Sequence, residues 1–179
     1  MSTAEVVFAP FIGALGPVAV VAVSLAYVWF AVASIVLAVI DARTHRLPNA
    51  WVMPGYPVFA VLLVVACLAG APWPSLLRAA IGGAALFAFY LLLRAAGGGM
   101  GGGDVKLAGI VGIALGWSGW AALAVGAFAG FVFGGVYGAL LLATRRAGRR
   151  TAVAFGPWML LGAWTGILLG GALVERVGL

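Results

Sequence analysis

The sequence predicts an all-α, polytopic membrane protein of six transmembrane helices, with both termini on the non-cytosolic side. Hydrophobic residues make up 65% of the chain and charged residues only 8%, whereas a soluble globular domain carries roughly 25% charged residues. Uncharged segments long enough to cross a bilayer recur along the chain. Lys and Arg cluster in alternate connections between these segments, which indicates the orientation.

The first three spans follow from uncharged runs. Span one is 17–40, and no Lys or Arg precedes it, which argues against a cleaved signal peptide. Span two is 50–70, where Pro54 and Pro57 are expected to bend or delay the first turn before a Gly- and Pro-rich turn ends the span. Span three is 75–93, and Arg78 is expected to extend its side chain to the lipid headgroups.

Spans four and five share the uncharged run 107–143, which is too long for one crossing and is interrupted near Gly116. The stretch from Asp104 to Gly116 holds 13 residues, about 20 Å of helix against a hydrocarbon core of about 30 Å. We therefore expect Asp104 to lie at or below the headgroups, beside a water-filled cavity. Span six is the run 152–174.

Basic residues support this topology. Eight of the ten Lys and Arg residues fall in the three connections that lie on one side of the membrane: Arg43, Arg46, Arg94, Lys106, Arg145, Arg146, Arg149 and Arg150. Short cytosolic loops collect such residues. The net charge of +6 is then explained by orientation and contact with anionic membrane lipid, and no nucleic-acid partner is expected. Residues 1–179 are interpreted as a single transmembrane domain.

Two of the four acidic residues converge on the cytosolic face, because Asp41 ends span one and Asp104 begins span four. Asp104 could instead cap its helix, and Asp41 could be a solvated residue at the membrane edge. Ionisable residues in membrane segments are usually functional. Two close carboxyl groups share one proton and so provide an acid and a base, which suffices to hydrolyse a peptide bond.

Other chemistries lack the necessary residues. His45 has no Cys or acidic cluster around it and Cys67 is the only cysteine, so no metal site and no disulfide are expected. No nucleophile motif surrounds the serines, and no Gly-Lys-Ser/Thr phosphate loop follows the glycines. We expect no metal and no cofactor.

Three segments resemble the type IV prepilin peptidases, which are membrane aspartyl proteases of the GxGD class. The segment 41–49 is similar to the first family motif, an Asp followed by Leu-Pro-Asn. The segment 101–107, Gly-Gly-Gly-Asp-Val-Lys-Leu, resembles the GxGD-x-K motif. Phe155-Gly156-Pro157 resembles the start of the last family helix.

The resemblance implies a catalytic pair, Asp41 and Asp104, that cleaves the basic leader of a prepilin or pseudopilin at the cytosolic face of a prokaryotic inner (plasma) membrane. It further implies that some residues shape the site or bind substrate: Gly101, Gly103, Lys106, Pro48 and Asn49. Lys106 could place substrate or tune the pair, or simply extend to the membrane interface.

The resemblance also implies a short, peptidase-only form without the N-terminal methyltransferase domain of longer members, similar to the enzymes that process tight-adherence pilins and preflagellins. Two alternatives stay open. An intramembrane protease of the presenilin type shares GxGD, although it lacks the other two segments. A small proton- or cation-coupled transporter could use the same two aspartates.

Overall fold

In the computed structural model, every regular element among the described residues, 16–97, 100–144 and 154–177, is a helix. The prediction of an all-α fold is confirmed. The basic run 145–150 and residues 152–153, where span six was expected to begin, lie outside the described residues. The helices are α1 (Pro17–Thr44), α2 (Asn49–Val52), α3 (Gly55–Leu68), α4 (Trp73–Ala95), α5 (Gly102–Ser118), α6 (Trp120–Ala143) and α7 (Gly156–Val177).

The outer surface of the bundle is apolar. Large hydrophobic side chains such as Ile35, Leu68 and Phe128 are 68%, 74% and 71% exposed, which suits contact with lipid and not with water. Four segments are long and apolar enough to cross a membrane: Pro17–Thr44, Asn49–Leu68, Trp73–Ala95 and Trp120–Leu141. The chain is a multi-pass membrane protein.

The crossing Asn49–Leu68 is broken into α2 and α3 at Pro54, as the sequence predicts. Upstream, α1 ends at Thr44 and is capped by His45, whose backbone is left-handed (φ 52°) and whose N–H donates to the carbonyl oxygen of Asp41 at 2.8 Å. Pro48 then provides the extended N-cap of α2. This short connection keeps the end of α1 close to the start of the second crossing.

Helix α4 begins at Trp73, two residues before the expected start of span three. Pro74 therefore belongs to the first turn of the helix and not to the preceding loop. Proline is tolerated there because the first N–H groups of a helix have no partner within it. The same rule explains why α7 begins at Gly156 and not at residue 152, since Pro157 occupies its first turn.

Helix α5 is the buried centre of the bundle, with every residue from Leu107 to Gly112 buried. It has 17 residues and not the 13 expected, because Gly102 and Gly103 form its first turn and it continues to Ser118. Gly119, with φ 144°, ends the helix in a conformation that suits only glycine. At about 25 Å the helix is still shorter than the hydrocarbon core of about 30 Å.

The far end of α5 is held by Arg78, and this corrects the expectation that Arg78 reaches the headgroups. Its Nε and Nη2 donate to the carbonyl oxygens of Gly116 and Trp117 at 2.6 and 2.8 Å. Tyr27 donates to the carbonyl oxygen of Ala114 at 2.7 Å. These carbonyls lie in the last turn, where a helix attracts positive charge. The helix that carries Asp104 is thus fixed at its opposite end.

Candidate active site

Asp41 lies in the last turn of α1 and is only 3% exposed. Its Oδ2 accepts a hydrogen bond from the backbone N–H of Gly156 at 3.0 Å, across 115 residues of sequence. Gly156 opens α7, so this carboxyl group satisfies an unpaired N–H at the positive end of a different helix. The interpretation of Asp41 as a solvated residue is therefore wrong.

Gly156 was not among the site residues proposed from the sequence, yet its backbone N–H holds the carboxyl group of Asp41. A Cβ at this position would lie 2.7 Å from the Asp41 Oδ2 and 3.3 Å from its Cγ. Any side chain would therefore push the carboxyl group away. The resemblance of Phe155-Gly156-Pro157 to a family segment marked this region, but the sequence does not show which residue it contacts.

Asp104 is the third residue of α5 and is half-buried. Its Oδ2 accepts a hydrogen bond from the backbone N–H of Gly101 at 3.1 Å. One oxygen thus caps the helix in the way that the sequence allowed. A cap uses only one of the two oxygens, however. Within the described part of the chain, the Oδ1 atoms of Asp41 and Asp104 accept no hydrogen bond.

The segments that carry the two carboxyl groups are brought together by the fold, and Leu47 packs between them. A Cβ on Gly103 would lie 2.7 Å from the Leu47 Cβ, and a Cβ on Gly156 would lie 3.4 Å from its Cδ2. Leu47 therefore bridges the start of α5 and the start of α7.

Lys106 does not contact either aspartate in this structure. Its Nζ donates to the Asn49 Oδ1 at 3.0 Å, an exposed bond that joins α5 to α2. The backbone carbonyl of Lys106 accepts a hydrogen bond from the Tyr56 hydroxyl at 2.8 Å. Tyr56 thus adds a second link between these crossings, although nothing in the sequence distinguishes it from the other tyrosines.

The remaining glycine of the first turn, Gly102, faces Arg94. The Arg94 guanidinium occupies the space that a side chain at position 102 would need. Gly101, which precedes it, is exposed and extended, with φ −68° and ψ 150°. The tract from 101 to 103 therefore lets Asp104, Arg94 and Leu47 approach the same short stretch of backbone.

A cavity of about 610 Å³ lies between α2, α3, α4 and α5, but it is not the space between the aspartates. Its lining is almost entirely apolar, with Tyr56 and Lys106 as polar members. Residues two apart on a helix point about 200° away from each other, so Asp104 faces a different side of α5 from Lys106. No group of three or more His, Cys, Asp or Glu residues within 16–97, 100–144 and 154–177 could hold a metal ion.

Comparison with known proteins places this geometry in a family. The sequence profile described as "Type IV leader peptidase family" matches residues 28–139, a stretch that includes both Asp41 and Asp104. The chain belongs to the type IV leader peptidase family. The match thus runs from the middle of α1 to most of α6, and it stops short of Gly156.

Individual members of the leader peptidase family are similar over three quarters of the chain. A prepilin leader peptidase/N-methyltransferase of Pseudomonas putida is 33% identical over 137 residues, 75% of this chain and 46% of that protein. The protein of the same name from Bacillus subtilis is 30% identical over 142 residues, 79% of this chain and 54% of that protein. The chain spans about half the length of these curated relatives. No solved structure gives a significant match.

Proposed function

We propose that this protein is a membrane-embedded aspartyl endopeptidase that removes the leader peptide from prepilin or pseudopilin-like precursors. The observation that carries the proposal is the pair Asp41 and Asp104, two carboxyl groups from helices far apart in sequence, which are each held by one backbone N–H and whose segments are joined by Leu47. Membership of the leader peptidase family and the names of its relatives support the same substrate class.

The two backbone hydrogen bonds give the two oxygens of each carboxyl group different roles. Each Oδ2 is held by the N–H of a glycine, which fixes the orientation of the group. Each Oδ1 is then left to act on water and substrate. Because two carboxylates held close together cannot both ionise cheaply, the pair retains one proton and acts as one base and one acid.

Hydrolysis by this pair of carboxyl groups requires no cofactor. The ionised carboxyl group takes a proton from water while the water oxygen attacks the carbonyl carbon of the scissile peptide bond. The protonated carboxyl group gives its proton to the carbonyl oxygen. When the C–N bond breaks, the proton taken from water passes to the leaving nitrogen, and a hydroxyl group of the tetrahedral intermediate returns its proton to the other carboxylate, so the pair returns to its starting state.

The site belongs at the cytosolic edge of the inner (plasma) membrane in this proposal. Arg43 lies in the last turn of α1, Arg46 follows that helix, and Arg94 lies in the last turn of α4, so three basic residues flank the aspartates on one side of the bundle. Cytosolic loops carry such an excess of positive charge. The shortness of α5 supports a position of Asp104 near the depth at which an apolar segment of substrate would leave the bilayer.

The test removes one carboxyl group at a time. Asp41→Asn and Asp104→Asn are each co-expressed with a prepilin, and the leader-bearing and mature forms are separated by electrophoresis. Asn keeps a side-chain oxygen that can accept the anchoring hydrogen bond, but it cannot serve as the acid or base. Both variants should accumulate at wild-type level in the membrane and leave the prepilin uncleaved.

The matched control is Glu175→Gln, at a backbone position about 28 Å along α7 from Gly156. It should process the prepilin like the wild type. Wild-type processing by either aspartate variant would disprove the pair mechanism. Asp-dependent ion flux in reconstituted vesicles, without cleavage, would instead indicate a transporter.

A further inference from the structure

The apolar cavity between α2, α3, α4 and α5 is open to the outside of the bundle, where lipid lies. Two of the side chains that line it, Met53 and Phe87, are 46% and 37% exposed. Its volume of about 610 Å³ lies within the range of pockets that hold a small ligand, about 300–1,000 Å³. Apart from Tyr56 and Lys106, its lining is apolar. Such a space suits a hydrocarbon chain.

Two basic side chains lie at one end of this cavity, which we call its mouth. Lys106 lines the cavity itself. The guanidinium group of Arg94 packs against Gly102, which precedes Lys106 by four residues and so lies on the same face of α5. On α4, Arg94 follows the cavity residue Phe87 by seven residues, which is two turns along one face. Both helices therefore bring a positive charge to the mouth.

The charges at the mouth favour an anionic partner. Lys106 Nζ donates one hydrogen bond, to the Asn49 Oδ1 at 3.0 Å, whereas an ammonium group has three donors. The carboxyl groups of Asp41 and Asp104 are held elsewhere, by the backbone N–H groups of two glycines. Within the part of the chain that the structure describes, neither cation forms an ion pair with a carboxylate. The positive end of the α5 dipole adds to the attraction for an anion.

The depth of the cavity matches one leaflet of a bilayer. Among the residues of α4 that line it, Ala80 lies farthest from the mouth, 14 residues before Arg94. This separation is about 21 Å of helix, and half of a bilayer with its headgroup region is about 20–22 Å thick. A lipid whose headgroup lies beside Arg94 would therefore end where the cavity ends.

We propose that this cavity binds one anionic phospholipid, with the phosphate group at Lys106 and Arg94 and an acyl chain along the apolar lining. Basic pockets between transmembrane helices bind anionic headgroups in this way. A substrate segment fits less well, because Lys106 and Asp104 lie on different sides of α5, and a peptide in the cavity would have to pass around that helix to reach Asp104. The proposal does not depend on the proposed function.

Native mass spectrometry of the purified full chain in detergent tests the headgroup contacts, with phosphatidylglycerol and phosphatidylcholine of identical acyl chains as probes. The wild type should bind one phosphatidylglycerol roughly 10- to 30-fold more tightly than phosphatidylcholine. Lys106→Gln and Arg94→Gln should each weaken phosphatidylglycerol binding about 5-fold, which is the effect of one basic residue near an anionic lipid. Arg43→Gln, which removes an exposed cation from α1, is the matched control and should bind like the wild type.

Filling the cavity tests the place of the acyl chain. Ala84→Trp puts a ring into the cavity and keeps both cations, whereas Ala85→Trp adds the same ring at an exposed position that does not line it. Ala84→Trp should weaken phosphatidylglycerol binding more than about 10-fold, because several CH₂ groups lose their apolar contacts. Ala85→Trp should bind like the wild type, and inorganic phosphate should not displace the lipid.

Three results would overturn the proposal. Equal affinity of the wild type for the two lipids, or an equal loss in Arg43→Gln, would show that the mouth does not select an anionic headgroup. Wild-type binding by Ala84→Trp, or displacement of the lipid by inorganic phosphate, would indicate a surface anion site without an acyl chain. Displacement of phosphatidylglycerol by an equimolar amount of uncleaved prepilin would assign the cavity to substrate.

Discussion

Replacing Gly156 with Ala should disable the site while leaving the bundle folded. The added Cβ would lie 2.7 Å from the Asp41 Oδ2, about 0.7 Å inside the 3.4 Å at which ordinary van der Waals contact begins. The carboxyl group must therefore move by a similar distance. A misplacement of about 1 Å can cost about 100-fold in rate, so we expect cleavage to slow roughly 10- to 100-fold.

The assay compares single-turnover cleavage of a prepilin by purified Gly156→Ala and Gly171→Ala. Gly171 lies on the same helix, and a Cβ there would meet nothing within 4 Å. The control should cleave at the wild-type rate and be slightly more stable, because Ala favours helix over Gly by about 1 kcal/mol. Equal cleavage rates for the two variants would refute the idea that Gly156 positions a catalytic carboxyl group.

Two further substitutions test the supports of the site. Arg78→Met leaves two carbonyl oxygens at the end of α5 without their donor, and the free energy of unfolding should fall by about 2 kcal/mol. Thermal unfolding in detergent checks this against the exposed Arg43→Met, and equal stability of the two variants would contradict the role of Arg78 as a cap. Lys106→Met and Asn49→Ala remove the two ends of one hydrogen bond, so their effects on cleavage should not add. Effects that multiply in the double variant would show that Lys106 acts apart from Asn49.

Much of the fold could be predicted because a bilayer restricts the backbone structures that a chain can adopt. Helices satisfy their own backbone hydrogen bonds, so long uncharged runs had to become helices. Pro54 and Gly119 interrupt those helices for local reasons, since one lacks an N–H and the other adopts a φ that other residues avoid. Local rules of this kind are visible in a single sequence.

The site could be predicted only in part. Asp41 and Asp104 stand out because carboxyl groups are rare in so apolar a chain, and counting crossings places them on one face. The groups that hold these two side chains cannot be recognised in the sequence. The bond from Gly156 to Asp41 spans 115 residues, and a backbone N–H has no signature in the sequence.

The contacts of Arg78 could not be predicted from the sequence either. Near the end of a membrane span, an arginine in isolation is expected to extend toward the headgroups. Whether it does so depends on what lies beside it, and here the last carbonyl oxygens of α5 lie within reach.

The central claim is that Asp41 and Asp104 act as one catalytic unit. Single-turnover cleavage rates of purified Asp41→Asn, Asp104→Asn and the double variant in nanodiscs test it most directly. Residues that share one proton lose their function together, so the double variant should cleave no more slowly than either single variant. Rates that fall independently and multiply in the double variant, or a single variant that cleaves at the wild-type rate, would contradict it.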